Sequence, residues 1–267
     1  MKHKKIIYNN TLLSYYTFGN GKPLLLMHGF AEDHSIWKHQ ITHLSKKYFV
    51  IAPDLFGVGN SDFLDRGNVS IKTYAEAIKE IIKAEKIQQF IMMGHSMGGY
   101  ITLAYLELYP EDLLGIGLVH STIFEDDDNK KQVRLKAIEF IKSHGGASFL
   151  KTSIPGLYFD ASKFESEIQS QIATSTGIVD EVLIQYYQAM LKRPDSTKLL
   201  QSTKIPLMII AGKHDHAVPF SQSLKQFHLS QITYLKILQN SAHMGLIEES
   251  EAANQFISFF VENQPSY

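Results

Sequence analysis

Gly94-His95-Ser96-Met97-Gly98 sets a serine between two glycines, after a continuous apolar run at residues 90–93 and before a helix-forming stretch at 97–109. A serine at a sharp strand-to-helix turn stands in strained backbone. Glycines two positions before and after it leave out side chains that would collide with the neighbouring strand and helix. Such a turn lifts the hydroxyl into the open, and the first turn of the helix supplies unpaired N–H groups with a partial positive charge. The chemistry this suits is nucleophilic attack on a carbonyl. The bland alternative is a glycine-rich turn in which Ser96 only caps the helix.

A hydroxyl is a poor nucleophile at neutral pH, so the site needs a base for its proton and donors for the oxyanion that forms. Among twelve histidines, His243 is the candidate base. Ser241-Ala242-His243-Met244-Gly245 lies just after the last apolar run, in a loop at a strand's carboxyl end, where open α/β sheets gather their sites. Asp215 follows the run at 207–210 in the same way, and a carboxylate there can accept the imidazole Nδ1 proton and fix the tautomer. For the oxyanion, the sequence offers the N–H groups of Phe30, in the His28-Gly29-Phe30 loop that ends the run at 24–27, and of Met97. His28 is expected to brace that loop. His95 and His120 are expected to be packed beside the site rather than to act in it. His214, Asp215 and His216 could instead suggest a metal site, but adjacent residues at a strand end point alternately and no partner segment has ligand spacing. No metal is expected.

These residues must be positioned by repeating elements. Short apolar runs at 24–27, 49–52, 90–93, 116–119, 207–210 and 234–238 suit strands buried on both faces of a parallel sheet. Helical patterns at 36–47, 71–86, 97–109, 221–227 and 249–261 alternate with them, which predicts an α/β fold with a doubly wound, mostly parallel sheet. Ahead of it, alternating stretches at 5–8 and 12–18 flank Asn9-Asn10 and read as a β-hairpin. The alternation stops between about 122 and 203. That segment offers helices at 131–143 and 179–192 and breaks at Gly145-Gly146 and Pro155-Gly156, and it reads as an inserted helical cap on a core of residues 1–121 and 204–267. Its acidic run, Glu125 to Asp128, is expected to be a solvated loop or a helix start.

The 267 residues suffice for one large core. Lys plus Arg (26) nearly cancels Asp plus Glu (27), with no basic stripe to attract nucleic acid. With no cysteine, disulfides, thiolate metal sites and a cysteine nucleophile drop out. No run approaches the ~18 apolar residues of a membrane span, and residues 1–10 lack the apolar stretch of a signal peptide. The expectation is a cytoplasmic protein with a small-molecule partner, as a monomer or a homodimer.

Over nearly its whole length the chain resembles the α/β-hydrolase superfamily. The Ser-Asp-His order is that of the family, and so are the loop from Pro53 to Asp62, Trp37 after the His28-Gly29 turn, and the helical insert after Val119. Phe56 and Val58 stand where many members carry Arg and His. Glu248, five residues after His243, matches a frequent and structural family acid. Serine at position 96 argues against haloalkane dehalogenases and epoxide hydrolases, which carry Asp there; His95 and Met244 argue against carbon–carbon hydrolases, which often show Asn and Trp. The resemblance implies a serine esterase for small to medium acyl chains, working through an acyl-enzyme and needing no cofactor. Carbon–carbon hydrolysis, lactone opening, perhydrolysis and a non-catalytic ligand-binding homologue are the competing expectations.

Overall fold

Asn9 and Asn10 take positive φ values of 48° and 63°, the pair of left-handed residues that lets a two-residue turn follow the twist of its strands. They join β1 (Lys2–Tyr8) to β2 (Thr11–Phe18) in the computed structural model, which describes residues 1–265. Six further strands follow: β3 (Pro23–Met27), β4 (Phe49–Pro53), β5 (Phe90–His95), β6 (Leu113–Val119), β7 (Leu207–Gly212) and β8 (Thr233–Leu238). The sheet order is β1-β2-β4-β3-β5-β6-β7-β8. β1 and β2 pair antiparallel at one edge, and from β4 onward every pair is parallel. The carboxyl ends of β3, β5, β6 and β7 therefore share one rim.

Helices α1 (Lys38–Leu44), α2 (Ile71–Ala84) and α3 (Met97–Leu108) link the central strands. Between β6 and β7 run α4 (Asp128–His144), α5 (Gly146–Ser153), α6 (Glu165–Ser175), α7 (Asp180–Leu191) and α8 (Thr197–Ser202). α9 (Phe220–Gln226), α10 (Gly245–Glu248) and α11 (Ser250–Glu262) complete the chain. Successive strand residues alternate between two apolar layers, as a pleat requires. Leu25, Met27, Ile51 and Met92 pack with α2 and α3, while Leu24, Leu26, Val50 and Met93 pack with α1 and α11. Among the described residues no helix is long and apolar enough to cross a membrane.

The expected helix at 36–47 is instead a short 3₁₀ turn, His34–Trp37, followed by α1. Asp33 caps that turn by accepting from the Ser35 N–H at 2.8 Å, and the fully buried Trp37 anchors it. The segment between β6 and β7 holds three helices that its periodicity does not announce. At Gly145, φ is 83°, which ends α4, yet α5 starts at the next residue. α6 has only Ile168, Ile172 and Ala173 as apolar members, too few to draw a stripe. The segment's buried side chains join the layers of the sheet: Val182, Tyr186 and Met190 pack into one, Ile141, Leu150 and Ile154 into the other. Its acidic run does start a helix, with Asp127 accepting from the Lys130 N–H at 2.8 Å. Asp126, however, is buried rather than solvated, because two arginines claim it.

Candidate active site

Ser96 joins β5 to α3 with φ 52° and ψ −117°, a region that non-glycine residues rarely enter. Fixed neighbours hold it there. Its N–H donates to the Val119 carbonyl at 2.9 Å, and its own carbonyl accepts from the Ser121 hydroxyl at 2.8 Å. The flanking glycines are needed for space. A Cβ at Gly94 would overlap the Gly98 and Gly99 backbone, and one at Gly98 would overlap the Met27 carbonyl and stand 2.6 Å from that of His28.

His243 lies between β8 and α10, its backbone tied by an N–H bond to Leu157 O at 2.9 Å. Its Nδ1 donates to Asp215 Oδ2 at 2.8 Å, which leaves Nε2 as the free acceptor. Asp215 is buried; Oδ1 accepts from the Val218 N–H at 2.8 Å, and His120 Nδ1 lies 3.3 Å from Oδ2. Burial alone would push the Asp215 carboxyl up, but the charge of His243 and hydrogen bonds from both histidines hold it well below the usual range. Ser96 and His243 line one cavity of about 160 Å³. The Ser96 hydroxyl makes no hydrogen bond among the described residues.

The two backbone donors are also free: neither the Phe30 nor the Met97 N–H donates to another group among the described residues. Met97 is the first residue of α3, where helices leave N–H groups unpaired. The loop carrying Phe30 is pinned from two sides. His28 donates from Nδ1 to Gly29 O at 2.9 Å and accepts the Leu55 N–H at Nε2, also at 2.9 Å. The buried Glu32 accepts from the Gly29 N–H at 2.6 Å and from His95 Nδ1 at 2.9 Å, and His95 Nε2 donates to the His243 carbonyl at 3.0 Å. Burial pulls the His95 imidazole down, but the Glu32 carboxylate and its hydrogen bond win and raise it. Burial pushes Glu32 up, and His95 lowers it. Both shifts favour the charged forms of the two groups, which lie 2.9 Å apart beneath the site. Glu32 is a residue that sequence reasoning missed, since a single acid in a loop carries no spacing signal.

His120 sits at the other extreme. Its Nε2 is buried without a partner among the described residues, and burial pulls its imidazole down to about 4 despite Asp215. Glu248 ties the His243 loop to the helical segment, accepting from Phe159 N–H at 2.7 Å and Ala242 N–H at 2.9 Å. Where a polar neighbour was in doubt, Phe56 is instead a buried anchor whose carbonyl accepts from Tyr186 OH at 2.8 Å. The helical segment also supplies Lys130, Arg134, Leu157, Tyr187 and Met190 to the cavity wall.

As metal ligands, His214, Asp215 and His216 do not converge: His214 stacks on Phe159 with ring centroids 3.8 Å apart, and His216 is exposed. Donor atoms of His120, Asp215 and His243 do lie within 4.8 Å of one another. Both Nδ1 atoms, however, face Asp215 Oδ2 at hydrogen-bonding distance, so these donor atoms are already engaged with one another. Asp33, His34 and Asp54 form a second cluster, in which Asp54 is taken up by the His34 ring and N–H.

A family model described as alpha/beta hydrolase fold matches residues 22–250. The chain is 25% identical over 248 residues to 3-oxoadipate enol-lactonase 1 of Acinetobacter baylyi, covering 91% of this chain and 90% of that protein. It is 24% identical over 259 residues to the AB hydrolase superfamily protein YisY of Bacillus subtilis, covering 91% and 92%. Among solved structures, a thermophilic esterase from Thermogutta terrifontis superposes with a TM-score of 0.90 at 24% identity, over 98% of both chains.

Proposed function

Since the chain belongs to the α/β-hydrolase family, we propose that it is a serine hydrolase that cleaves carboxylic esters of small to medium acyl chains. One observation carries this reading: the buried Asp215–His243 pair, at 2.8 Å, opens onto the same cavity as a serine held at positive φ. In this mechanism His243 Nε2 takes the Ser96 proton as the hydroxyl attacks the carbonyl, and Asp215 stabilises the imidazolium. The unpaired N–H groups of Phe30 and Met97 receive the oxyanion, each worth about 2.7–4 kcal/mol of barrier. The imidazolium then protonates the leaving alcohol, and water activated by His243 releases the acid from the acyl-enzyme. Residues 122–203 act as a cap that closes the cavity over the core formed by 1–121 and 204–267. The chemistry needs no cofactor.

The test is covalent and kinetic. A fluorophosphonate should label Ser96, and purified protein should hydrolyse p-nitrophenyl acetate or butyrate; failure of both ends the reading.

Lactone opening by the same three side chains is the second reading, favoured by a relative named 3-oxoadipate enol-lactonase over most of both chains. A rate on a five-membered lactone far above that on its open-chain ester would replace the first reading with this one.

A further inference from the structure

Attack, proton transfer and oxyanion binding make no use of two cations in the cavity wall. Lys130 and Arg134 stand four residues apart on one face of α4 and line the cavity that holds Ser96 and His243. They are neutralised to different degrees. Arg134 is buried and donates from Nε to Asp126 Oδ2 at 2.5 Å, and Asp126 also meets Arg193 at 2.8 Å, so one carboxylate serves two guanidiniums. Lys130 has no ion pair among the described residues. Its ammonium makes one hydrogen bond, to the Ala217 carbonyl at 2.9 Å, out of the three it can donate. Burial pulls its pKa below the ordinary lysine value, and Arg134 adds to the pull.

Asp126 and Asp215 act on that charge from a distance, but among the described residues neither carboxylate beside the catalytic pair is free to bond it. Glu32 is held by His95 and the Gly29 N–H; Asp215 is held by two histidines and the Val218 N–H. A half-buried cation with unused donors, lining the same small cavity as Ser96, is a binding group awaiting an anion.

We propose that the substrate is an ester or lactone that itself bears a carboxylate, and that Lys130, backed by Arg134, binds this carboxylate while the scissile carbonyl meets Ser96. The inference rests on the hydrolase reading and narrows its substrate class. Because Asp126 already fills the Arg134 fork, one ammonium is left to meet the ligand. That suits a single negative charge better than a phosphate dianion. The carboxylate would also restore the lysine's charge balance, so binding and protonation favour each other.

The test compares charged esters with neutral isosteres, using the full chain and acid release at constant pH. Monomethyl glutarate is set against methyl isoheptanoate, and β-acetoxypropanoate against isopentyl acetate, so that the carboxylate is offered on the acyl and on the alcohol side. The expected result is a kcat/KM at least about tenfold higher for the charged member of one pair, as a charged hydrogen bond allows. Lys130→Met should cut that ratio by about tenfold or more, mainly through KM. Glutarate should also slow fluorophosphonate labelling of wild-type Ser96 where glutaramide does not, a readout that needs no variant. Ratios at or below one in both pairs, or a preference that survives Lys130→Met, overturn the inference, as does equal protection by glutarate and glutaramide. In those cases turnover of the neutral esters and labelling of Ser96 leave the hydrolase reading standing. No labelling and no turnover of any of the four esters would sink both.

Discussion

The cavity has a floor and a roof built on different physics. Its floor is backbone at the ends of parallel strands: Ser96 at φ 52°, the Phe30 loop pinned by His28 and Glu32, and Asp215 fixed between His243, His120 and the Val218 N–H. Most of these positions are set by main-chain bonds and close contacts that tolerate no added atom. The roof is side chains projected from helices: Lys130 and Arg134 from α4, Tyr187 and Met190 from α7, Leu157 from the turn after α5. There the ring of Phe30 from the floor meets Tyr187, with centroids 4.4 Å apart. Under the proposed function, the floor fixes what reaction is possible and the roof selects what enters. Changes in the floor should alter kcat or the fold, and changes in the roof should alter KM and preference.

The largest expected effects test the floor directly. Ser96→Ala or His243→Ala should lower kcat by about a hundred-thousand- to a million-fold, because the three side chains act as a unit. Single-turnover kinetics would check this, and a rate near wild type from either would erase the distinction. Asp215→Asn should leave the fold standing and lower kcat by about ten-thousand-fold, since the amide would favour the wrong imidazole tautomer. An effect on KM alone would move Asp215 from the floor to the roof.

Next come two glycines, one from each region. Gly98→Ala forces a Cβ against the Met27 and His28 carbonyls, main chain that cannot yield without moving β3. It should cost about 1–3 kcal/mol or more by denaturant titration. Gly156→Ala, in the turn that leads to Leu157, meets nothing within 4 Å. It should stay within about 0.5 kcal/mol of the parent. Equal costs at the two positions would mean that the roof is as tightly determined as the floor.

The same division decides what could be read in the sequence. Floor residues betray themselves because strain and close approach demand particular types: Gly94 and Gly98 around Ser96, Asn9-Asn10 at φ 48° and 63°, a histidine and an aspartate just past strand ends. The sheet was legible too, since a strand buried on both faces must be a continuous apolar run. Glu32 left no trace, although it holds both Gly29 and His95, because its partner lies 63 positions away and any loop can carry one acid. α5, α6 and α8 were missed because their burial is supplied by tertiary contacts with the sheet layers rather than by a stripe of their own. Nothing in the sequence sets Lys130 and Arg134, on one face of α4, apart from the chain's other basic residues. Only the fold shows that this face is turned toward Ser96 and that Asp126 is shared.

The smallest effect divides the floor itself. His95 and His120, with ring centroids 5.9 Å apart, are both buried and shifted in opposite directions. Burial overrides Asp215 at His120 and brings it down to about 4; at His95, burial is overcome by Glu32 and the value rises. The windows follow from the signs. Between about pH 4 and the ordinary histidine value near 6.5, an unfolded chain binds a proton at position 120 that the folded chain refuses, so stability should fall as pH falls through that window. For His95 the folded chain binds the proton more tightly; its contribution is complete below about 6.5 and is lost as pH rises through the raised folded value. His120→Asn tolerates the left-handed backbone there, φ 48°, and removes the titration. Its unfolding free energy, from denaturant titration at each pH, should gain on wild type by on the order of 1 kcal/mol per pH unit as pH drops from about 6.5 to 4. His95→Gln should instead bring the largest deficit at the acid end and converge on wild type as pH rises. If both variants track the parent in parallel from pH 4 to 9, neither histidine titrates differently on folding, and the floor is held by backbone geometry without help from the Glu32–His95 charge pair.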